Sequence, residues 1–362
     1  MPESCSSKDG IRKHAGHNPP GYVYDPIFLE HDTGDHPENA RRLEAVISDL
    51  DWKGIRLQLK SIPARPATLA ELTTVHEKEY IARVEAFCRR GGGDWDADTP
   101  MSEGSYKAAL YAAGGSVAAA EAVIEGDIPQ AFALLRPPGH HATRNNAMGF
   151  CIFNNIAVAA TCALKTGRIK HALIIDFDVH HGNGTQEAFA RNPGVLYISM
   201  HQYPLFPGTG YMDEVEPDKG TATTVNIPLP AGCGDSEYRQ AFEEIVSPAA
   251  RRFGPDIILV SAGYDAHWTD ELGNMRLSLE GYHYVTRAIQ QLADEFCGGK
   301  TVLFLEGGYN LKVLTSAINM TFNTWLGEKT FDDPLGPAPR QQNRPRGIDE
   351  IIAAIKKRHG LS

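Results

Sequence analysis

A chain of 362 residues with 42% hydrophobic and 22% charged residues has the composition of a globular protein with a sizeable core, not of a disordered or fibrous one. Its formal net charge of −10, with no basic run or stripe to offset it, argues against nucleic acid as a partner. A stretch of about 18 apolar residues, the length that spans a bilayer, is missing, so no membrane partner is expected. The opening MPESCSSKDG lacks the positive-then-apolar pattern of a secretory signal. The six cysteines (Cys5, Cys88, Cys151, Cys162, Cys233, Cys297) are scattered without a CxxC pair, which reads as free thiols in a cytoplasmic location.

In chain order, the first 130 residues read as helical. Ala-rich segments over 72–90 and 103–125 flank a Gly- and Asp-rich loop, GGGDWDADTP. From Ala131 onward, short apolar runs alternate with helical stretches. The runs cover 131–135 (AFALL), 171–177 (HALIIDF), 195–200 (VLYISM), 257–261 (IILVS) and 301–305 (TVLFL). Runs this short and apolar on both faces fit buried parallel strands. Helical stretches lie over 154–165, 236–253, 279–296 and 311–326, the last two flanked by Gly298-Gly299 and Gly307-Gly308. Strand and helix in alternation predict an α/β fold, a parallel sheet with helices on both faces. After Phe331 the chain turns rich in Pro, Arg and Gln, so 332–362 reads as coil plus a short final helix. With neither repeat nor linker visible, residues 1–362 are expected to form a single domain with its core over about 21–326.

Residues capable of catalysis follow the ends of these strands. The first run leads into Arg136-Pro-Pro-Gly-His140-His141 and the second into Asp176-Phe-Asp178-Val-His180-His181-Gly-Asn183. The third ends in Ser199-Met-His201, the fourth leads to Tyr264-Asp265, and the fifth to Glu306-Gly-Gly-Tyr309. In open parallel sheets ligands bind beyond the carboxyl ends of the strands, so five such ends predict one site. On an extended segment Asp178 and His180 share a face, and with Asp265 they form a two-carboxylate, one-imidazole set suited to a catalytic zinc with an open position. The competing reading, that Asp178 and His180 cap the next helix, requires only one polar residue. Of His140-His141, one can move a proton between water and a leaving amine. Asp176 and Asn183 are placed to orient the pair. Tyr309, behind two glycines, can aim its phenol at a developing oxyanion.

HPENARRLEAV, RPPGHHA, GFCIFNN, DFDVHHGNGTQ, FPGTG, SAGYDAH and LEGGY, in this order over roughly Gly21 to Leu326, resemble the histone deacetylase superfamily, in its class II-like and bacterial amidohydrolase branch. The resemblance implies an arginase-like deacetylase fold with an eight-stranded parallel sheet and one catalytic Zn2+ at the foot of a narrow tunnel. It implies Asp178, His180 and Asp265 as zinc ligands and His141 as general base and acid. His140 stands beside His141 as electrostatic partner, oriented by Asp176, and Tyr309 is the catalytic tyrosine. Asn183 follows the class II pattern, where a neutral partner stabilises a His141 imidazolium less than an aspartate does. By the same resemblance Phe150, Phe206 and Gly149 shape the acyl-lysine tunnel, Asp98 grips substrate amides at the rim, and Arg42 lines an acetate-release cavity. A structural K+ is implied at Asp176, Asp178, His180 and Ser199.

The implied activity is hydrolysis of an acetyl or related acyl amide on a lysine-type amine, in a protein or as a small N-acetyl amine. An acetylpolyamine amidohydrolase with the same chemistry is the alternative. Where the polyamine branch carries a gatekeeper glutamate, this chain has Leu272, with Glu271 beside it, which favours acyl-lysine. A two-metal ureohydrolase needs a further aspartate two residues past His180, and that position holds Gly182. A non-catalytic acyl-lysine reader needs neither His141 nor Tyr309. Homo-oligomerisation stays open.

Overall fold

The computed structural model describes residues 18–214, 223–328, 330–340 and 344–361; Cys5 lies outside them. Strands follow in chain order as β1 (Gly21–Val23), β2 (Lys60–Ile62), β3 (Gly92–Asp94), β4 (Pro100–Ser102), β5 (Gln130–Ala133) and β6 (Ala172–Asp176). Then come β7 (Val195–Gln202), β8 (Thr224–Leu229), β9 (Ile257–Ala262) and β10 (Thr301–Leu305). Among the described residues, eight of these form one sheet in the order β2-β1-β5-β10-β9-β6-β7-β8, with every pairing parallel. The remaining two, β3 and β4, make an antiparallel hairpin in the GGGDWDADTP loop.

The five apolar runs are five of the six inner strands, buried on both faces as their composition requires. Strands β1, β2 and β8 carry no apolar run. The first two are three residues long, and β8 (TVNIPL) alternates polar and apolar residues although all six are buried. That burial comes from tertiary packing. The final helix, α11 (Ile348–His359), lies against β8 and buries Ile348, Ile352 and Ile355, so the predicted C-terminal helix covers a sheet edge.

The main helices, labelled by their place in the chain, include α1 (Arg41–Trp52), α2 (Leu69–Leu72), α3 (Lys78–Arg89), α4 (Ser105–Ile124), α5 (Asn155–Lys165) and α6 (Asn183–Phe189). They continue with α7 (Asp235–Ala241), α8 (Ser247–Phe253), α9 (Leu279–Cys297) and α10 (Leu311–Trp325). Within the Ala-rich segment 72–90 the helix is confined to α3, and Leu72 is the last residue of the preceding α2. α2 starts on a capping box in which Thr68 and Glu71 satisfy each other's backbone N–H groups. His76 then turns inward to hold the loop after His140-His141, through Thr143 O at 2.9 Å and Asn154 N at 2.9 Å. The stretch 236–253 is helical throughout but passes through a π-turn over Phe242–Val246.

Candidate active site

Strand β6 ends at Asp176, so Asp178 and His180 sit on the turn beyond it and not on the extended strand. The turn holds itself together: Asp176 Oδ1 accepts from Asp178 N at 3.2 Å, and Asp178 Oδ1 accepts from His180 N at 2.9 Å. Helix α6 is capped by Gly182, so neither residue serves as its cap. His180 Nδ1 lies 3.2 Å from Asp178 Oδ1 and 3.2 Å from Asp265 Oδ2. Asp265 arrives from the β9 end, its Oδ1 bound by Val179 N at 3.0 Å, while its buried Oδ2 makes no hydrogen bond. Ligand atoms of the three residues lie within 4.8 Å of one another. Burial and the facing Asp178 push the Asp265 carboxyl up to about 6. An unsatisfied buried oxygen and a self-repelling carboxylate pair around one imidazole fit a divalent cation in the cradle.

The histidine pair stands beside it, with ring centroids 4.0 Å apart. Asp176 Oδ2 is 3.0 Å from His140 Nδ1 and also accepts from the Tyr197 hydroxyl at 3.0 Å. Burial alone depresses His140, but the carboxylates of Asp176, Asp178 and Glu306 reverse this and raise it to about 10. His141 behaves oppositely. Burial, reinforced by the neighbouring His140 and His180, drives its pKa well below the usual histidine value and keeps it neutral. Its tautomer follows from Asn183, whose amide nitrogen donates to His141 O at 3.3 Å while Oδ1 meets His141 Nδ1 at 2.9 Å. Nδ1 therefore carries the proton, and Nε2 keeps a free lone pair, as a base requires.

These groups form the floor of a cavity of about 250 Å3 whose lining includes Asp98, Gly149, Phe150, Phe206, Leu272 and Tyr309. The Phe206 ring packs 5.1 Å from His141, and the Phe150 ring stands edge-on to Tyr309 at 5.9 Å. Both Gly149 and Phe150 have left-handed backbones, with φ of 55° and 68°. A Cβ on Gly149 would approach His141 Cδ2 to 2.5 Å and Phe206 to 2.8 Å, so only glycine leaves the tunnel open. Strain at the non-glycine Phe150 is of the kind found at ligand clamps. Tyr309 is aimed by its backbone: Asp270 Oδ2 accepts from its N–H at 2.8 Å, and the Arg42 guanidinium lies 5.0 Å from its ring centroid. Burial raises the phenol well above its ordinary pKa, which keeps it a proton donor.

Arg42 itself is buried behind Tyr309, holding Gly308 O at 2.8 Å, Glu306 O at 2.5 Å and Glu38 at 3.1 Å. Ser199 pairs in register with Asp176 on the next strand, and its hydroxyl bonds His201 Nδ1 at 2.8 Å. Asp98 lies at the rim, where Thr99 donates to it at 3.2 Å. Sequence reasoning missed Tyr197, Asp270 and Cys151, the last of which lines the cavity beside Phe150. Tyr197, Ser199 and His201 alternate on β7, a period-2 signal that was there to use. Asp270 and Cys151 are brought in by loops, for which no periodicity speaks.

The strand ends of this parallel α/β sheet gather an Asp-His-Asp cradle that could hold a metal ion, together with two histidines and a tyrosine. Residues 36–325 match the family described as "Histone deacetylase domain". The Arabidopsis thaliana protein "Histone deacetylase 14, chloroplastic" is 40% identical over 92% of this chain and 83% of its own length. The Pseudomonas aeruginosa "Histone deacetylase-like amidohydrolase" is 40% identical over 80% of this chain and 75% of its own. The crystal structure of the HDA15 HD domain superposes with a TM-score of 0.85 at 37% identity, covering 94% and 93% of the two chains. The chain belongs to the histone deacetylase family, a family of deacetylases and amidohydrolases, and has its eight-stranded arginase-like fold.

Proposed function

We propose that the protein is a zinc-dependent amidohydrolase that removes acetyl or related acyl groups from lysine-type amines. One observation carries the reading: a neutral His141 with a free Nε2, the Tyr309 phenol, and Asp178 and His180 border one aromatic-walled cavity, with Asp265 completing the cradle from behind. Zn2+ held by the three cradle residues would supply Lewis-acid activation of water and of the acyl carbonyl. The chain's residues do the rest. Phe150 and Phe206 flank the four-carbon stem of the amine and exclude water from it. His141 Nε2 takes a proton from the attacking water and returns it to the leaving nitrogen. Tyr309 donates a hydrogen bond to the carbonyl oxygen as negative charge develops there. His140, held cationic by Asp176, adds positive charge beside that oxygen. A structural K+ at Asp176, Asp178, His180 and Ser199 belongs to the same reading, since Ser199 adjoins Asp176.

Leu272, which borders the mouth, offers no charge to a second ammonium and favours acyl-lysine over acetylpolyamine. The test is acetate release from an acetyl-lysine peptide and from acetylputrescine, with and without chelator. Chelator-sensitive turnover of the peptide is expected. Turnover of acetylputrescine alone moves the protein to polyamine chemistry, and no chelator sensitivity with either substrate sinks the zinc reading.

A further inference from the structure

The catalytic histidines sit on a loop, and a loop aims a side chain only as well as its backbone is held. Beyond β5 the chain runs through Arg136-Pro-Pro-Gly-His140-His141 with no strand partner of its own. His140 is fixed on two sides, through its carbonyl and through its ring. Its carbonyl accepts from Gly184 N at 3.1 Å and Thr185 N at 3.2 Å, in the first turn of α6, and its ring meets Asp176. On the third side one side chain does the holding. Glu306, the first residue past β10 and 1% exposed, accepts at Oε2 from Gly139 N at 2.7 Å and from His140 N at 3.2 Å.

The other oxygen of Glu306 accepts from the Ser261 hydroxyl at 3.2 Å, on the strand that leads to Asp265. Its own backbone is pinned by Ala262 O at 3.0 Å and by Arg42 at 2.5 Å. Glu306 thus ties the histidine loop to the two neighbouring strands whose ends carry Asp265 and Tyr309. It does not border the cavity, so it acts through the residues it holds.

We propose that Glu306 is a positioning residue, whose carboxyl sets the backbone of Gly139 and His140 and thereby the aim of the His140–His141 pair at the cradle. The inference rests on the amidohydrolase reading and names a residue that the mechanism above leaves without a role. Two buried N–H groups converging on one oxygen lose their partner if that oxygen moves, and a shift of about 1 Å in a catalytic group can cost about 10²-fold in rate. Burial first, partly offset by His140, pushes the Glu306 carboxyl up to about 7, so a neutral amide of the same shape is tolerated there.

The experiment compares Glu306→Gln with Glu306→Asp in the zinc-loaded protein. Glutamine keeps an oxygen at the same reach for both N–H groups and turns its amide toward Ser261. Aspartate keeps the charge but withdraws it by one methylene. Positioning predicts kcat within about three-fold of wild type for Glu306→Gln. For Glu306→Asp it predicts a fall of about 10²-fold, with KM within two-fold and zinc content unchanged. The imidazole 15N resonances of His140 and His141 should shift in Glu306→Asp and stay in place in Glu306→Gln.

The reverse order, with aspartate active and glutamine impaired, shows that charge and not position matters and overturns the proposal. Equal loss in both, together with loss of zinc or a lowered melting temperature, assigns Glu306 to the fold alone and overturns it too. Unchanged rates and resonances in both do the same. Failure of the amidohydrolase reading is a separate result. It appears as wild-type protein releasing no acetate, and the 15N resonances then decide the positioning by themselves.

Discussion

Two clusters of buried charge lie a few residues apart at the carboxyl end of the sheet, and they are built on opposite rules. In the first, Glu38 is fully buried between Arg136, at 2.5 and 2.8 Å, and Arg42 at 3.1 Å, with His31 at 3.5 Å. Arg136 spends its remaining donors on Phe28 O and His31 O, and Arg42 on Gly308 O and Glu306 O. Burial pushes the Glu38 carboxyl up, but Arg136 and His31 overcome it and hold it well below the usual range. In the second, two carboxylates share one imidazole, one oxygen makes no hydrogen bond, and Asp265 rises to about 6. Depth is the same, yet Asp265 shifts in the opposite direction to Glu38, while, despite burial, His140 and His180 hold its neighbour Asp178 below the usual carboxylate range. A closed cluster carries its own counter-charge and needs nothing further; an open one is short of a cation.

The largest test of the comparison is to empty the open cluster. Asp178→Ala or His180→Ala should lower zinc from about one ion per chain to near none and bring acetate release to background. Elemental analysis checks it, and stoichiometric zinc in either variant would show that the cradle is not the metal site. Next is the closed cluster. Glu38→Gln strands two buried guanidinium groups and should cost about 3–5 kcal/mol in urea unfolding. In chelated protein Asp265→Asn relieves like-charge repulsion and should change stability by less than about 1 kcal/mol. Equal losses in the two variants would erase the distinction drawn between the clusters.

Tyr309→Phe should lower kcat by about 10²–10³-fold, the cost of one oxyanion donor, with zinc retained. Near-normal turnover would remove the phenol from the mechanism. The smallest effect concerns a third kind of buried polar group, satisfied without charge. Burial lowers His76 from 6.5 to about 4 while it donates to Thr143 O and accepts from Asn154 N. The fold keeps His76 neutral, so the unfolded chain takes up the proton first. Stability that is present above about pH 6.5 should fall as pH drops toward 4, by about 3 kcal/mol at most. Urea midpoints across that range check it, and a His76→Gln variant should lose this part of the slope.

The strand ends were legible because chemistry and position coincide there. A buried parallel strand must be apolar, so a run such as HALIID that gives way to DFDVHH marks both the strand and its carboxyl end in one stretch of text. The cradle residues, the histidine pair and Tyr309 were visible for that reason. Strands β1, β2 and β8 were not, because three residues carry no period, and the burial of β8 depends on a helix more than a hundred residues further on. The break between α2 and α3 was equally hidden, since His76 leaves the helical path for partners at Thr143 and Asn154.

The sequence by itself determined which residue types arrive at each strand end and which family's motifs they spell. Only the tertiary structure decided how they are charged and aimed. That His141 is neutral with a proton on Nδ1, that Asp265 keeps an unmet oxygen, and that Glu306 grips the histidine loop all depend on groups far away in the chain. The physical reason is that pKa shifts and hydrogen-bond geometry act over a few ångströms in a water-poor interior. Sequence order does not encode that neighbourhood, and here the sheet order, which sets β10 between β5 and β9, creates it.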